Sequence, residues 1–229
     1  MGDWPNTYTF SKMLAENLVT KYSDTLPAAI FRPSIVIATH REPIPGWLDN
    51  LNGPAGITVG SEMGTIRCMR CDSDLKVDLT MVYNFVSSAQ RPITWQEYTR
   101  ICSTYAISHP PEKAMWYYCL MLIKNPTLYR FMNALTHDLP AQILDILYGK
   151  IAQFTDILSY FTTRQWEFSD HNVRALHASL NEVDKVTFPF DISSLRWEPY
   201  LNEYMAGIRV HLLKEQPENL PAARKNGVT

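Results

Sequence analysis

The chain has 229 residues, 46% of them hydrophobic and 19% charged, a globular composition rather than a disordered one. Twenty-one basic and 23 acidic side chains give a net charge of −2, so no overall field draws the chain to nucleic acid or anionic lipid. Four cysteines make no disulfide framework at this length, and no basic region followed by an apolar run opens the sequence, so an intracellular protein with reduced thiols is expected.

Residues 7–22 read as a helix, with Tyr8, Leu14, Leu18 and Tyr22 at near-helical intervals. Tyr8 and Lys12 stand four residues apart near its start and share one helical face. A phenol beside a cation is a better proton donor at neutral pH than a phenol alone, and it can protonate a carbonyl oxygen as hydride reaches the carbon. The spacing also admits a plain alternative, in which Tyr8 packs and Lys12 makes a surface pair with Glu16.

Ala28 to Phe31 and Ile35 to Ile37 are β-rich runs flanking Pro33, which marks a strand end because it cannot donate to a ladder. In parallel α/β sheets ligands lie beyond the carboxyl ends of strands, so residues 32–35 are placed either to line a cofactor pocket or simply to end a strand. Residues 40–65 hold three prolines and five glycines and read as one long loop. In it Trp47, Leu48 and Leu51 either offer apolar surface to a substrate or pin the loop to the core.

Cys68 and Cys71 have the spacing of half a zinc site or a redox pair, but no second such pair exists, and inert thiols are the simpler reading. Thr94 and Glu97 form a capping box, after which Trp95, Tyr98, Ile101, Cys102 and Tyr105 make one stripe up to Pro110 and Pro111. Ala114 to Ile123 carries no charge. As a helix it reaches only about 15 Å, too short to span a bilayer, and it belongs either in the core or at a membrane interface. Leu128 to Phe161 continues with helical spacing broken near Pro140. Trp197, Leu201, Tyr204, Met205, Ile208 and Leu212 then share a face, with Pro199 in the first turn. The polar end beyond Lys214 reads as frayed.

The segment from Trp4 to Glu16 resembles the active-site helix of the fatty acyl-CoA reductases, an extended branch of the short-chain dehydrogenase/reductase superfamily. Leu26 to Val36 is similar to that family's next strand and Arg-Pro-Ser turn. Glu42 to Asn50 with Gly53 to Gly56 resembles a loop of the family, and Trp166 to Phe168, Phe188 to Asp191 and Trp197 to Glu215 resemble its helical C-terminal domain. The resemblance implies a remnant of a Rossmann-type α/β domain at residues 1–108, followed by a mainly α-helical domain at 109–229.

It also implies NADPH-dependent reduction of a long-chain fatty acyl-CoA to a primary alcohol. Tyr8 is then the proton donor, Lys12 tunes it and holds the nicotinamide ribose, and Pro33, Ser34 and Ile35 flank the ring. Peripheral attachment to the endoplasmic reticulum or peroxisome membrane goes with the resemblance, while oligomeric state is not specified. The glycine-rich turn that binds pyrophosphate does not precede Tyr8, so the chain is expected to be an inactive fragment whose Met1 is an internal start. Two further departures are the direct link from Lys76 to Val82, where the family carries a helix, and Met63, where it carries a lysine. The rival readings are a non-catalytic lipid- or membrane-associated helical module and a sugar-nucleotide epimerase or dehydratase; the Trp47 loop and the helical tail weigh against the latter.

Overall fold

The computed structural model describes residues 4, 6–82, 88–138, 145–193 and 195–226. Its contacts divide the chain into two units, residues 1–33 and 34–229.

The first unit is built on helix α1 (Thr7–Tyr22). Asn6 is extended, and its side chain accepts from the Thr9 N–H at 2.9 Å, satisfying one of the free donors at the helix start. Arg32 returns to this helix with a bidentate pair to Glu16, both contacts at 2.7 Å, which pulls the Glu16 carboxyl below its usual range. The strand expected at Ala28 to Phe31 does not form: these residues are exposed and make no ladder among the described residues. The reason is one of pairing, since β1 (Ile35–Thr39) begins only after Pro33, at the residue that has a partner in β4.

In the second unit, three two-stranded pairings carry the strands. β1 runs parallel to β4 (Leu79–Val82), β2 (Cys68–Arg70) parallel to β6 (Met121–Ile123), and β3 (Lys76–Val77) antiparallel to β5 (Ile93–Thr94). The segment expected as one long loop contains helix α2 (Pro54–Glu62). Its buried positions 54, 55, 57, 58, 61 and 62 keep a helical period that the glycines obscured. Pro54 fits because a first-turn N–H has no helical acceptor to lose.

Helix α3 (Trp95–Ser108) starts at the expected capping box, where the Thr94 hydroxyl accepts from Glu97 N–H at 3.1 Å and the Glu97 carboxylate accepts from Thr94 N–H at 3.0 Å. After it come α4 (Pro126–Asn133), a wide turn at Ala134–Asp138, α5 (Asp145–Thr162), α6 (His171–Ser179) and α7 (Glu182–Thr187). The break expected near Pro140 lies outside the described residues. The uncharged run Ala114 to Ile123 is not a helix. Met115 and Trp116 donate their N–H groups to the Met63 carbonyl, at 3.0 and 3.4 Å, and Met121 to Ile123 pairs as β6. Arg67 covers the Trp116 ring at 4.6 Å. No helix of the described residues is long and apolar enough to cross a membrane.

Helix α8 (Trp197–Gly207) holds the core of this unit together, packing along α3 with Leu201, Tyr204 and Met205 fully buried. Its tyrosines keep their hydroxyls satisfied: Tyr200 donates to the Ala38 carbonyl at 2.7 Å, and Tyr98 donates to Tyr204 at 3.3 Å with Thr58 3.1 Å away. The loop after β1 crosses α8 backbone to backbone. A methyl on Gly207 would lie 1.8 Å from the Gly46 carbonyl oxygen, and one on Gly46 would lie 2.2 Å from the Glu203 carbonyl oxygen.

The tail is not frayed. Arg209 donates from Nη2 and Nε to one oxygen of the buried Glu215, at 2.9 and 3.2 Å, and the other oxygen accepts from the Glu112 N–H at 2.8 Å. Beyond it α9 (Leu220–Asn226) is tied to the end of α3 by Arg224, which donates to the Ser108 carbonyl at 2.8 Å. Polar composition misled here because the polar groups are partners of one another.

Two predictions follow from this packing. Gly207→Ala has no room for its methyl, and overpacking of this kind costs roughly 1–3 kcal/mol or more; a urea midpoint equal to wild type would rule out the close crossing. Glu62 is buried with both carboxyl oxygens lacking a hydrogen-bond partner, and burial pushes its carboxyl from 4.5 up to about 8, against the pull of Arg209 and with the push of Glu215. Between those values the folded chain holds a proton that the unfolded chain has lost. Stability therefore falls as pH rises, by up to about 1.4 kcal/mol per unit. Glu62→Gln is expected to remove that slope in thermal melts between about pH 5 and pH 8; parallel profiles for the two proteins would contradict it.

Candidate active site

The helical register of α1 places the side chains of Tyr8 and Lys12 together, with the Lys12 ammonium 5.5 Å from the centroid of the Tyr8 ring. Tyr8 is 62% exposed. The alternative use of the lysine is not taken: Glu16 is occupied on both oxygens by Arg32. Neither the Tyr8 hydroxyl nor the Lys12 ammonium has a hydrogen-bond or ion-pair partner among the described residues, so a donor phenol and a cation stand available on one helical face. Those two groups suit the ribose and reacting end of a nicotinamide dinucleotide: a hydroxyl to hand over a proton and an ammonium to hold vicinal hydroxyls. No Gly-x-Gly-x-x-Gly run for the pyrophosphate end occurs among these 229 residues.

Pro33 is exposed and closes the first unit. Ser34 and Ile35 belong to the second, where the Ser34 hydroxyl lies 2.8 Å from that of Thr80 and the Ser34 N–H donates to it at 3.2 Å. These bonds fix the entry of β1 against β4.

The loop after β1 is held by Thr39, whose N–H and carbonyl pair with the Trp47 carbonyl and the Gly46 N–H at 3.1 and 3.0 Å. Its hydroxyl donates to the Ile44 carbonyl and accepts from the Trp47 N–H at 2.9 Å. Leu48 is consequently buried, Trp47 is half-buried, and Leu51 stays 52% exposed.

A cavity that sequence reasoning missed opens at the carboxyl end of β1. It has a volume of about 150 Å³ and is lined by His40 and Arg41 from the strand end, Met81 from β4, and His177 and Lys185 from α6 and α7. Some 140 residues separate its two walls, so no local pattern announces it; only the position of His40 and Arg41 after a parallel strand was a usable signal.

The cysteines carry no comparable chemistry. Cys68, Cys71 and Cys102 are buried, and burial pushes the Cys71 thiol up to about 12. His137 lies 3.7 Å from the Cys68 sulfur, but its Nε2 accepts the Arg67 N–H at 3.0 Å. The ring therefore carries its proton on Nδ1, 3.0 Å from Asn133 Oδ1, and is not a base for the thiol. Among the described residues no group of three or more metal-ligating side chains converges.

Two family models match, both described as male sterility protein: an NAD-binding model over residues 1–89 and a second over residues 120–215. The chain is 33% identical to "Fatty acyl-CoA reductase wat" of Drosophila melanogaster over 97% of its length and 50% of the relative's. It is 34% identical to "Fatty acyl-CoA reductase 1" of Gallus gallus and 33% identical to that of Homo sapiens, each over 99% of its length and 51% of the relative's. The chain thus spans about half the length of the curated relatives it matches. The aligned span with the Gallus gallus protein is 264 positions against 229 residues here, a difference of 35 that leaves at least that many positions without a counterpart.

Proposed function

Since the chain belongs to the fatty acyl-CoA reductase family of male sterility proteins, we propose that it contributes the proton-donating half of an enzyme reducing long-chain fatty acyl-CoA to a primary alcohol with NADPH. The observation that carries the reading is the exposed Tyr8 hydroxyl, without a partner among the described residues, with Lys12 over its ring. In this proposal residues 1–108 are the C-terminal half of a Rossmann-type reductase domain and residues 109–229 its helical companion. The hand-over between the two matched family models, from 89 to 120, supports that division.

A nicotinamide dinucleotide held at Lys12 would supply hydride to the thioester carbonyl carbon. Tyr8 donates its proton to the carbonyl oxygen as negative charge develops there. Lys12 holds the ribose hydroxyls and stabilises the charge left on the phenolic oxygen. In this proposal Pro33, Ser34 and Ile35 would flank the ring and Trp47 and Leu51 would meet the acyl chain, while the buried Leu48 pins the loop to the core. The thiol leaves after the first reduction, and a second round at the same phenol takes the aldehyde to the alcohol. A peripheral contact at the endoplasmic reticulum or peroxisome membrane, where such acyl chains partition, completes the proposal.

The direct link through Asp78 is where we place the positions without counterpart. It trims the neighbourhood of the substrate loop, and Met63 sits in the same region of sequence.

The test joins these 229 residues to the N-terminal half of the Drosophila melanogaster relative and supplies NADPH with a long-chain acyl-CoA. Fatty alcohol is the expected product, and Tyr8→Phe should lower turnover by roughly 10²–10⁴-fold. Lys12→Met should raise KM for the dinucleotide as well as lower kcat. Equal turnover by the Tyr8→Phe form would defeat the assignment. Liposome flotation without turnover would favour a lipid-binding module instead.

A further inference from the structure

The cavity at the end of β1 is not used by the proposed chemistry, yet its wall carries groups with little to do inside the chain. Arg41 has no hydrogen-bond or ion-pair partner among the described residues. The Nδ1 atom of His40 is buried without a hydrogen-bond partner, while its ring rests edge-on against Tyr200 with centroids 5.6 Å apart. Lys185 reaches the same space and, among the described residues, pairs with Glu182 at 2.8 Å, a carboxylate 90% exposed, which is a weak tether. His177 completes the wall, seated edge-on to Phe190 at 5.2 Å.

The one lining carboxylate is already spoken for. Asp191 accepts from the Ser193 N–H at 2.9 Å and from its hydroxyl at 2.7 Å, which holds its carboxyl below the usual range. Arg41, Lys185 and two imidazoles line the space, with the Asp191 carboxylate held by Ser193 and the Glu182 carboxylate paired to Lys185.

Size narrows the ligand. A cavity of about 150 Å³ accommodates a benzene-sized guest, so this one takes one small group rather than a whole cofactor or an acyl chain. Donors approach from the strand end on one side and from α6 and α7 on the other. That arrangement suits a tetrahedral oxyanion with several acceptor oxygens better than a planar carboxylate with two.

We propose that this cavity is a binding site for a single phosphoryl group, with Arg41 and Lys185 as its charged donors and His40 as its third. The group comes either from inorganic phosphate or from a phosphate monoester on a larger ligand. The proposal does not rest on the reductase reading, because inorganic phosphate alone serves as the probe.

Isothermal titration calorimetry of the full 229-residue chain with sodium phosphate, at neutral pH and low ionic strength, tests it. One phosphate per chain is expected, and acetate should bind at least tenfold more weakly. Arg41→Gln and Lys185→Gln should each weaken phosphate at least tenfold, whereas Arg100→Gln, exposed on α3, should not. Arg41 has no partner to lose, so its variant is expected to melt like wild type. No phosphate binding, equal binding of acetate, or unchanged binding in the Arg41→Gln form would each overturn the proposal. Competition then identifies the source: displacement by coenzyme A but not by its 3′-dephospho form points to a phosphate monoester ligand, and displacement by neither points to free phosphate. Both of those outcomes uphold the site, and the second counts against acyl-CoA at this cavity without touching the Tyr8 chemistry.

Discussion

The second unit depends on a crossing of bare backbones. Gly46 passes over α8 so closely that its carbonyl oxygen fills the space a side chain at position 207 would need, and the Glu203 carbonyl fills the space beside Gly46. No residue but glycine satisfies both strands of that crossing. Gly46 also has φ +72°, a conformation that carries little penalty only without a Cβ. With the crossing in place, Thr39 ties both ends of the loop, Tyr200 reaches the Ala38 carbonyl, and β1 is fixed on α8. The placement of His40 and Arg41 at the mouth of the cavity follows directly.

Around that crossing the core is polar in an ordered way. The hydroxyls of Tyr98, Tyr204 and Thr58 form a small network, and Arg209 with Glu215 is sealed beneath the tail. A buried network of this kind specifies one arrangement when every member is paired. Glu62 departs from that pattern, with two oxygens unpaired among the described residues and close enough to feel Arg209 and Glu215. Arg209 is already committed to Glu215 on two nitrogens and to the His109 carbonyl at 3.3 Å. Burial therefore outweighs attraction, and a proton on Glu62 replaces the partner it lacks.

How much of this was legible in the sequence depended on range. The Tyr8–Lys12 juxtaposition, the Thr94–Glu97 box and the stripe of Leu201, Tyr204, Met205 and Ile208 are set within one or two helical turns, where periodicity speaks directly. Helix α2 was hidden because Gly56 and Gly60 lower helix propensity; they are there to let Phe154 and Ile66 approach. The tail looked unstructured because Glu215 and Arg224 read as solvated charges until their partners, at 209, 112 and 108, come into view. The cavity was invisible for the same reason, its two walls being joined only by tertiary structure.

The link at Asp78 shows how so short a connection can still be a proper joint. β3 pairs antiparallel with β5 while β4, one residue later, pairs parallel with β1, so the chain must change partners across a single position. Asp78 supports the change with both of its ends: its carbonyl accepts the Ile35 N–H at 3.3 Å, and its carboxylate accepts the N–H and hydroxyl of Ser88 at 2.6 and 2.9 Å. The Ser88 hydroxyl oxygen in turn accepts the Leu79 N–H at 2.8 Å. The N–H groups of Ile35, Leu79 and Ser88 are thereby taken up locally. Two short strand pairs of opposite sense can then share one residue without leaving an orphaned donor in the core.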